Sequence, residues 1–241
     1  MRFFRMYETI DSTNEEARRL ISTGGNFHGT AILTEEQNNG KGQYGRSWHS
    51  ERGNHLAMTI IIQPPDLQAR ELPQISMKTS LAVIRTLHDS VPGINAKIKW
   101  PNDIYVNAKK LGGILIENSL NAASVQYCII GIGLNINEQS FPEDLPGAVS
   151  LFNVSGKKHE IKRIAEHLHE EIMRIWNEPA ENWKTEYDMF LYGKGENNLF
   201  LIGDTEIVAM VNGVDNEGRI ILEKQNGEVK SYFSHEIKWM I

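Results

Sequence analysis

Strand-like and helix-like apolar segments follow one another along this chain in an irregular order, and this order constrains the fold more than any other feature. Apolar side chains spaced three and four residues apart predict helices over 75–91 and 161–176. A further helix is expected at Pro179, because the first turn of a helix tolerates proline. Strands are predicted at 31–34, 55–62, 96–100, 104–106, 113–117 and 125–136. Because strands and helices do not alternate regularly, a doubly wound parallel sheet is excluded and an α+β fold is predicted.

Another helix is predicted to begin within 12–16. Ser12 with Glu15, or Thr13 with Glu16, has the spacing of a capping box, in which side chains satisfy the backbone N–H groups of the first turn. Apolar residues at helical spacing follow directly. We therefore expect one of these two boxes to start the helix.

The pattern changes near residue 190. Beyond it, short apolar segments are separated by hairpin signals at 215–218 and 226–227. A length of 241 residues fits one large domain with a small appendage. We therefore predict a larger domain over 1–190 and a small all-β domain over 191–241.

The composition excludes several classes of protein. The apolar and charged fractions, 40% and 23%, are those of an ordinary globular protein rather than a disordered one. The single cysteine, Cys128, lies in an apolar run, so we expect a buried thiol and no disulfide framework. No stretch reaches the roughly 18 apolar residues of a membrane span, and the first residues lack the apolar core of a signal peptide. A cytoplasmic protein without membrane contact is expected.

Positive charge is concentrated in two segments of an otherwise acidic chain. The formal net charge of −6 argues against a general nucleic-acid or membrane-surface protein. Segment 38–52 nevertheless carries a net charge of +2, and segment 97–110 carries +3. Two such islands suggest a compact anionic ligand, and solvated basic loops are the alternative.

The segment 40–45 fits the glycine pattern of dinucleotide-binding loops. Such a loop must open a helix directly after a strand, and here polar residues separate it from the strand at 31–34. The dinucleotide interpretation is therefore rejected. A flexible loop carrying Lys41 and Arg46 could close around an anion, and a plain surface loop is equally compatible with the pattern.

Three further segments crowd chemically useful groups together. Segment 99–103 combines a lysine, a tryptophan, an amide and a carboxylate after a strand; a strand end with a buried tryptophan is the alternative. In segment 110–115 a lysine precedes two glycines that open a strand. Gly131 and Gly133 clear one face of another strand, for close approach either of a ligand or of a helix.

Taken together and in this order, these segments resemble the biotin–protein ligase family. The resemblance is carried by Ser12-Thr13-Asn14, by Glu36 and Gln37 with the loop 40–48, and by segments 99–103, 110–115 and 131–135. It implies a mixed-sheet catalytic domain of the biotin/lipoate ligase type, followed by a small SH3-like β-barrel domain. It also implies the reaction: biotin and ATP form biotinyl-5′-AMP, and biotin then passes to one lysine of the biotin carboxyl carrier protein of a biotin-dependent carboxylase. Mg²⁺ would accompany ATP.

The resemblance assigns roles to individual residues. Lys110 would hold the biotin carboxylate against the α-phosphate, Lys99 would meet phosphates, and Asp103 would orient or deprotonate the incoming lysine. The biotin-binding residues would be Ser12, Thr13, Gln37, Lys41, Gly42, Gly112, Gly113, Leu115, Gly131 and Gly133. The ATP-binding residues would be Gly40, Gly45, Arg46, Trp48, Lys99, Asn102 and Asn135.

The sequence departs from the family pattern at the glycine loop. Lys41 and Gln43 stand where the commonest family loop has arginines: Lys41 keeps the charge without the bidentate fork, and Gln43 loses the charge as well. Because the first catalytic motif begins by Asp11, no DNA-binding domain and no DNA partner are expected; a homodimer is left open. Two rival functions also remain, a lipoate or octanoate ligase and a non-catalytic ligand-binding protein.

Overall fold

The computed structural model describes residues 3–48, 51–64, 67–121 and 124–240. A seven-stranded sheet forms its larger part. Its strands are β1 (Phe4–Ile10), β2 (Thr30–Gln37), β3 (His55–Ile62), β4 (Ala96–Lys99), β5 (Asp103–Val106), β6 (Lys109–Asn121) and β7 (Ser124–Asn135). The strand order is β1-β2-β3-β7-β6-β5-β4. Only β1 and β2 pair in parallel, so the sheet is mixed.

Helices cover both faces of this sheet. They are α1 (Thr13–Ser22), α2 (Leu72–Ser90), α3 (Leu151–Ser155), α4 (Ile161–Trp176) and α5 (Ala180–Met189). On one face α1 buries Ala17 and Leu20 against Ile32, Ile61 and Ile129. On the other face α2 and α4 pack against each other and against the sheet. Because β3 has a helix layer on each side, all eight of its residues are buried, and the predicted α+β class is confirmed.

A second, smaller sheet follows α5. Its five antiparallel strands are β8 (Asn197–Ile202), β9 (Thr205–Val214), β10 (Ile220–Lys224), β11 (Val229–Tyr232) and β12 (Lys238–Met240), in the order β11-β10-β9-β8-β12. Both predicted hairpin signals lie at turns, and Gly218 and Gly227 supply the positive φ that these turns require. The small all-β unit is therefore present.

The two sheets share one hydrophobic core. Phe200 and Trp239 of the small sheet belong to the same buried cluster as α2 and β4. The Trp100 indole N–H donates to the carbonyl of Gly218 at 2.8 Å. The small sheet is thereby held beside segment 99–103.

The start of α1 differs from the prediction. Ser12 is the N-cap residue, but its side chain makes no capping bond, so neither predicted capping box forms. Glu15 instead pairs with Arg18 and Lys41, and Glu16 bonds Tyr7. A capping box forms at α3, a helix that the sequence analysis missed.

Strand β1 was also missed. Its burial does not alternate with period two, because it is an edge strand with several exposed side chains.

Two predictions from composition can be compared with the structure directly. Cys128 is free and buried, as expected. Within the described ranges, no helix is both long enough and apolar enough to cross a membrane.

Candidate active site

Two adjoining cavities open on the face of the seven-stranded sheet that carries α1. The first lies between the start of α1 and the centre of β6 and β7; it is lined by Ser12, Thr13, Asn14, Gln37, Lys41, Gly42, Gln43, Trp48, Asn102, Asp103, Lys110, Gly113, Ile114, Leu115, Gly131, Ile132 and Gly133. The second is larger, about 500 Å³, which is within the range of small-molecule sites. Its walls include Arg46, Trp48, Lys99, Asn102, Asp103, Tyr105, Lys110, Asn135, Phe141, Ser234, Ile237 and Trp239.

Lys110 lies where the two cavities meet. Its ammonium nitrogen is 2.7 Å from Asp103 Oδ1 and 5.8 Å from the centre of the Trp48 ring. The turn before it places Asn107 and Ala108 at positive φ, which brings Lys110 opposite Tyr105 on β5. A fixed ammonium therefore faces both cavities, held by a carboxylate.

Two glycines border this pair and the Trp48 ring beside it. A Cβ atom on Gly113 would lie 3.4 Å from Asp103 Oδ1 and 3.5 Å from Lys110 Nζ. A Cβ on Gly133 would lie 2.6 Å from the Trp48 indole, which packs directly on the glycine. The bare face predicted for β7 is thus occupied by side chains of the site.

Lys99 is the second cation of the larger cavity. Its ammonium lies 5.2 Å from the centre of the Tyr105 ring. Burial lowers the pKa of Lys99, Asp103 opposes this effect, and the nearby charges of Lys110 and Arg46 reinforce it. Lys99, Lys110 and Arg46 therefore all line the larger cavity. A cavity with three positive side chains suits a polyanionic ligand.

A chain of buried polar groups closes the far end of the first cavity. Gln37 Oε1 accepts the backbone N–H of Thr13 at 2.9 Å. Thr59 Oγ1 lies 2.7 Å from Thr13 Oγ1 and 2.6 Å from Asn14 Oδ1. Asn14 Nδ2 donates to Glu117 Oε2 at 2.7 Å. Thr13, Asn14 and Thr59 are each less than 5% exposed.

The glycine loop is a small hairpin that borders both cavities. Gly42 N–H donates to the carbonyl of Arg46 at 2.7 Å, and Trp48 N–H donates to that of Gly40 at 2.9 Å. Tyr44, at its tip, has a φ of 57° and is exposed. Lys41 pairs with Glu15 of α1 at 2.5 Å.

Most of the sequence-predicted site residues meet here, and three glycines do not line either cavity: Gly40, Gly45 and Gly112. A Cβ on Gly40 would lie 2.8 Å from the carbonyl oxygen of Trp48, so this glycine serves the hairpin. A Cβ on Gly112 would lie 2.3 Å from the Leu134 side chain, so this glycine serves strand packing.

Asn135 lines the larger cavity, but its amide is engaged. Asn135 Nδ2 donates to the carbonyl of Val149 at 3.1 Å. The segment before Val149 forms a wall of the cavity and bonds the backbone of Lys110 through Gly147. The amide nitrogen of Asn135 thus anchors this wall of the cavity.

The sequence analysis did not find several residues of the site. Asn14 belongs to an identified motif but was given no role, and Glu117 lies two residues beyond segment 110–115, so adjacency was the available signal. Trp239 and Ile237 come from the small sheet, and no local pattern connects them with the motifs of the larger sheet. Of the two basic islands, Arg52 pairs with Glu8 and Glu35 away from the cavities.

The part of the chain that the structure describes holds no cluster of three or more His, Cys, Asp or Glu residues suited to a metal ion. Asp103, a carboxylate of the site, already pairs with Lys110. These residues do not build a metal site of their own.

A sequence model of the biotin/lipoate A/B protein ligase family matches residues 6–135, which is more than half of the chain. The chain belongs to this family. The match covers strands β2 to β7 in full and most of β1. It also includes the three glycine-containing segments of the site, 40–48, 110–115 and 131–135. Family membership therefore rests on the part of the chain that forms the first cavity.

Individual family members match beyond this region. The bifunctional ligase/repressor BirA of Bacillus spizizenii is 30% identical over 244 residues, covering 97% of this chain and 73% of that protein. The biotin–[acetyl-CoA-carboxylase] ligase of Paracoccus denitrificans is 29% identical over 238 residues, covering 92% of this chain and 95% of that protein. The structure of biotin protein ligase from Aquifex aeolicus in complex with biotin and ATP is 25% identical, with a TM-score of 0.82, and the match covers 100% of this chain and 99% of that one.

Proposed function

We propose that this chain is an ATP-dependent biotin–protein ligase that forms biotinyl-5′-AMP and transfers biotin to a lysine of a biotin carboxyl carrier protein. The observation that carries the proposal is the position of Lys110, between a narrow cavity closed by buried polar groups and a larger cavity with further cations. Such a site can hold two anionic substrates with their reacting ends together. The names of the related ligases support biotin as the first substrate.

In the first step, a carboxylate oxygen of biotin attacks the α-phosphorus of ATP, and pyrophosphate leaves. Both reactants are anions, so their repulsion must be offset by fixed cations. Lys110 contacts both cavities and is oriented by Asp103. Lys99 and Arg46 also line the larger cavity, where phosphates would lie. Holding both substrates in one orientation supplies the rest of the acceleration.

In the second step, the ε-amine of the carrier lysine attacks the carbonyl carbon of the mixed anhydride, AMP leaves, and the proton of the amine passes to Asp103. Asp103 is the carboxylate at the junction of the cavities, so we assign to it the orientation of the incoming amine. Mg²⁺ would accompany ATP and would offset part of the negative charge of its phosphates.

The binding residues follow from the two cavities. The biotin ring system lies at the closed end of the first cavity, against Ser12, Thr13 and Gln37, with Gly131 and Leu115 below it. The nucleotide lies in the larger cavity, between Trp48 and the small sheet. We also propose 1–190 as the catalytic domain, 191–241 as an SH3-like domain, and the cytoplasm, which supplies ATP, as the location.

Exchange of labelled pyrophosphate into ATP tests the proposal against its two rivals. We expect exchange that depends on biotin, because only a reversible adenylation returns label to ATP. Exchange supported by lipoate or octanoate and not by biotin would make the chain a lipoate-type ligase. Biotin binding without any exchange would make it a binding protein.

A further inference from the structure

A carboxylate sets the donor-to-acceptor direction of the buried hydrogen bonds at the closed end of the first cavity. Glu117 on β6 holds Asn14 through one oxygen and Arg18 through the other. A carboxylate only accepts hydrogen bonds, so the amide nitrogen of Asn14 must face it. The Asn14 oxygen is therefore turned towards Thr59.

The number of available hydroxyl protons decides which atom donates in the remaining contacts of Thr59 and Thr13. Thr59 Oγ1 has two short contacts, 2.6 Å to Asn14 Oδ1 and 2.7 Å to Thr13 Oγ1, and each needs one proton. Asn14 Oδ1 has none to give, so the Thr59 proton goes to Asn14. The Thr13 proton must then fill the contact between the two hydroxyls, rather than the longer contact of 3.2 Å to Gln37 Oε1. Gln37 Oε1 is left with the Thr13 backbone N–H as its donor, at 2.9 Å.

We propose that Glu117, acting through Asn14 and Thr59, makes the Thr13 hydroxyl an acceptor towards the ligand and so selects a ligand N–H at this point. Thr13 lines the first cavity and its proton is already used inside the protein. Glu117 is a positioning residue, since it lines neither cavity. The inference rests on the proposed function, in which the ureido ring of biotin, with one carbonyl and two N–H groups, occupies this end.

Replacing Glu117 by glutamine should reverse the donor-to-acceptor direction of these hydrogen bonds. Arg18 only donates, so the oxygen of the new amide would face Arg18 and its nitrogen would face Asn14. Asn14 would then turn its oxygen towards position 117 and its nitrogen towards Thr59. Thr59 would give its proton to Thr13, and the Thr13 proton would be available either to Gln37 Oε1, at the longer distance of 3.2 Å, or to a ligand oxygen in the cavity. We expect a ligand oxygen within normal hydrogen-bond distance to take it.

The test measures the dissociation constants of biotin and of its two cyclic carbamate analogues, in each of which oxygen replaces one ureido N–H. For wild-type protein we expect one analogue to bind roughly 10- to 100-fold more weakly than biotin, because an acceptor would face an acceptor. In E117Q we expect this ratio to fall towards one or to invert, because a donor would then face the ring oxygen. Calorimetry of the full chain gives all three constants.

Two further variants separate this role from a loss of folding. In N14D/E117Q the carboxylate and the amide exchange places, so the original direction and the wild-type ratio should return. T59V removes the hydroxyl that consumes the Thr13 proton, so the ratio should fall as in E117Q, even if E117Q itself does not fold. Glu16→Gln is the matched control: Glu16 is an acidic residue of the same helix whose partners are Arg19 and Tyr7, so the ratio should stay at its wild-type value.

Each outcome decides the matter. If wild-type protein binds biotin and discriminates neither analogue, or if folded E117Q and T59V keep the wild-type ratio, the inference is wrong and the proposed function stands. If E117Q loses the discrimination and N14D/E117Q does not regain it, the ordered chain is also wrong. If the wild-type protein does not bind biotin at all, the proposed function itself fails.

Discussion

Single residues decide where charge can be held in this site. Asp103 and Lys110 lie 2.7 Å apart beside the sheet, next to Gly113. Ionic pairs of this kind are strong when both partners are partly removed from water, as these are. The pair is thus a preorganised cation with a defined position, and two predictions follow at this scale.

The first concerns Lys110. We expect Lys110→Ala to reduce biotinyl-adenylate formation by on the order of 10²–10³, the usual effect of removing one preorganised charge partner. Its melting temperature should change by only a few degrees, because the side chain is one-third exposed. Pyrophosphate exchange measures the activity. Lys109→Ala, an exposed lysine one residue earlier, is the control and should retain activity; near-normal exchange in Lys110→Ala would refute the assignment.

The second concerns Glu138, just beyond β7. It is 3% exposed, and burial, with a smaller contribution from Glu51, raises its pKa to about 7 from an ordinary value of 4.5. The folded state therefore keeps a proton that the unfolded state loses, and the free energy of unfolding should fall as pH rises from about 4.5 to 7. From the linkage relation the loss is on the order of 3 kcal/mol.

Glu138→Gln should remove this pH dependence, because an amide stays neutral. We expect the variant to be more stable than wild type at pH 8 and similar to it near pH 5, as measured by urea unfolding. The exposed Glu143→Gln should behave like wild type throughout. Parallel stability curves for Glu138→Gln and wild type would show that Glu138 is charged in the folded protein at neutral pH.

At the scale of an element, the glycine loop is the part of the site with the fewest anchors. Residues 40–47 are held by three backbone hydrogen bonds and by the pair between Lys41 and Glu15 on α1. Trp48, at the end of the loop, packs on Gly133. The side chain of Tyr44 at the tip is 75% exposed. A loop with so few apolar contacts gains its order from what it closes on.

We therefore expect closure of this loop to depend on ligand. A bound adenylate would offer a phosphate to Lys41 and Arg46, and closure would keep water from a reactive anhydride. Trypsin cleaves after both residues, so cutting should be fast in the free protein and strongly slowed by biotin with ATP. Cutting after the exposed Lys157 and Lys158 serves as the internal control. Equal protection at both places, or at neither, would contradict a local closure.

At the scale of the whole molecule, the small sheet completes the larger cavity that the large sheet begins. Trp239 and Ile237 line this cavity, and the Trp100 indole fixes the small sheet at Gly218. The shared core makes the arrangement one packed body rather than two domains on a linker. An acidic chain can therefore present a local concentration of cations, because the fold collects Lys99, Lys110 and Arg46 at one place.

The sequence by itself predicted much of the fold and most of the residues that line the two cavities of the candidate site. Periodic apolar spacing depends only on local geometry, and for this reason β3 and α4 occur at their predicted residues. The same holds for the hairpins of the small sheet, where glycine is required by a positive φ. Motifs with dense chemistry, such as segments 99–103 and 110–115, were also recognisable, since each concentrates its functional groups within a few residues.

Only the tertiary structure decided which of these groups meet. The edge strand β1 has no periodic signal, and the contributions of Asn14, Glu117 and Trp239 depend on pairing between distant segments. Sequence patterns record what a residue requires from its neighbours along the chain. Hydrogen-bond direction and the closure of a cavity depend instead on neighbours in space, and packing brings these together over separations of about a hundred residues, as with Asn14 and Glu117.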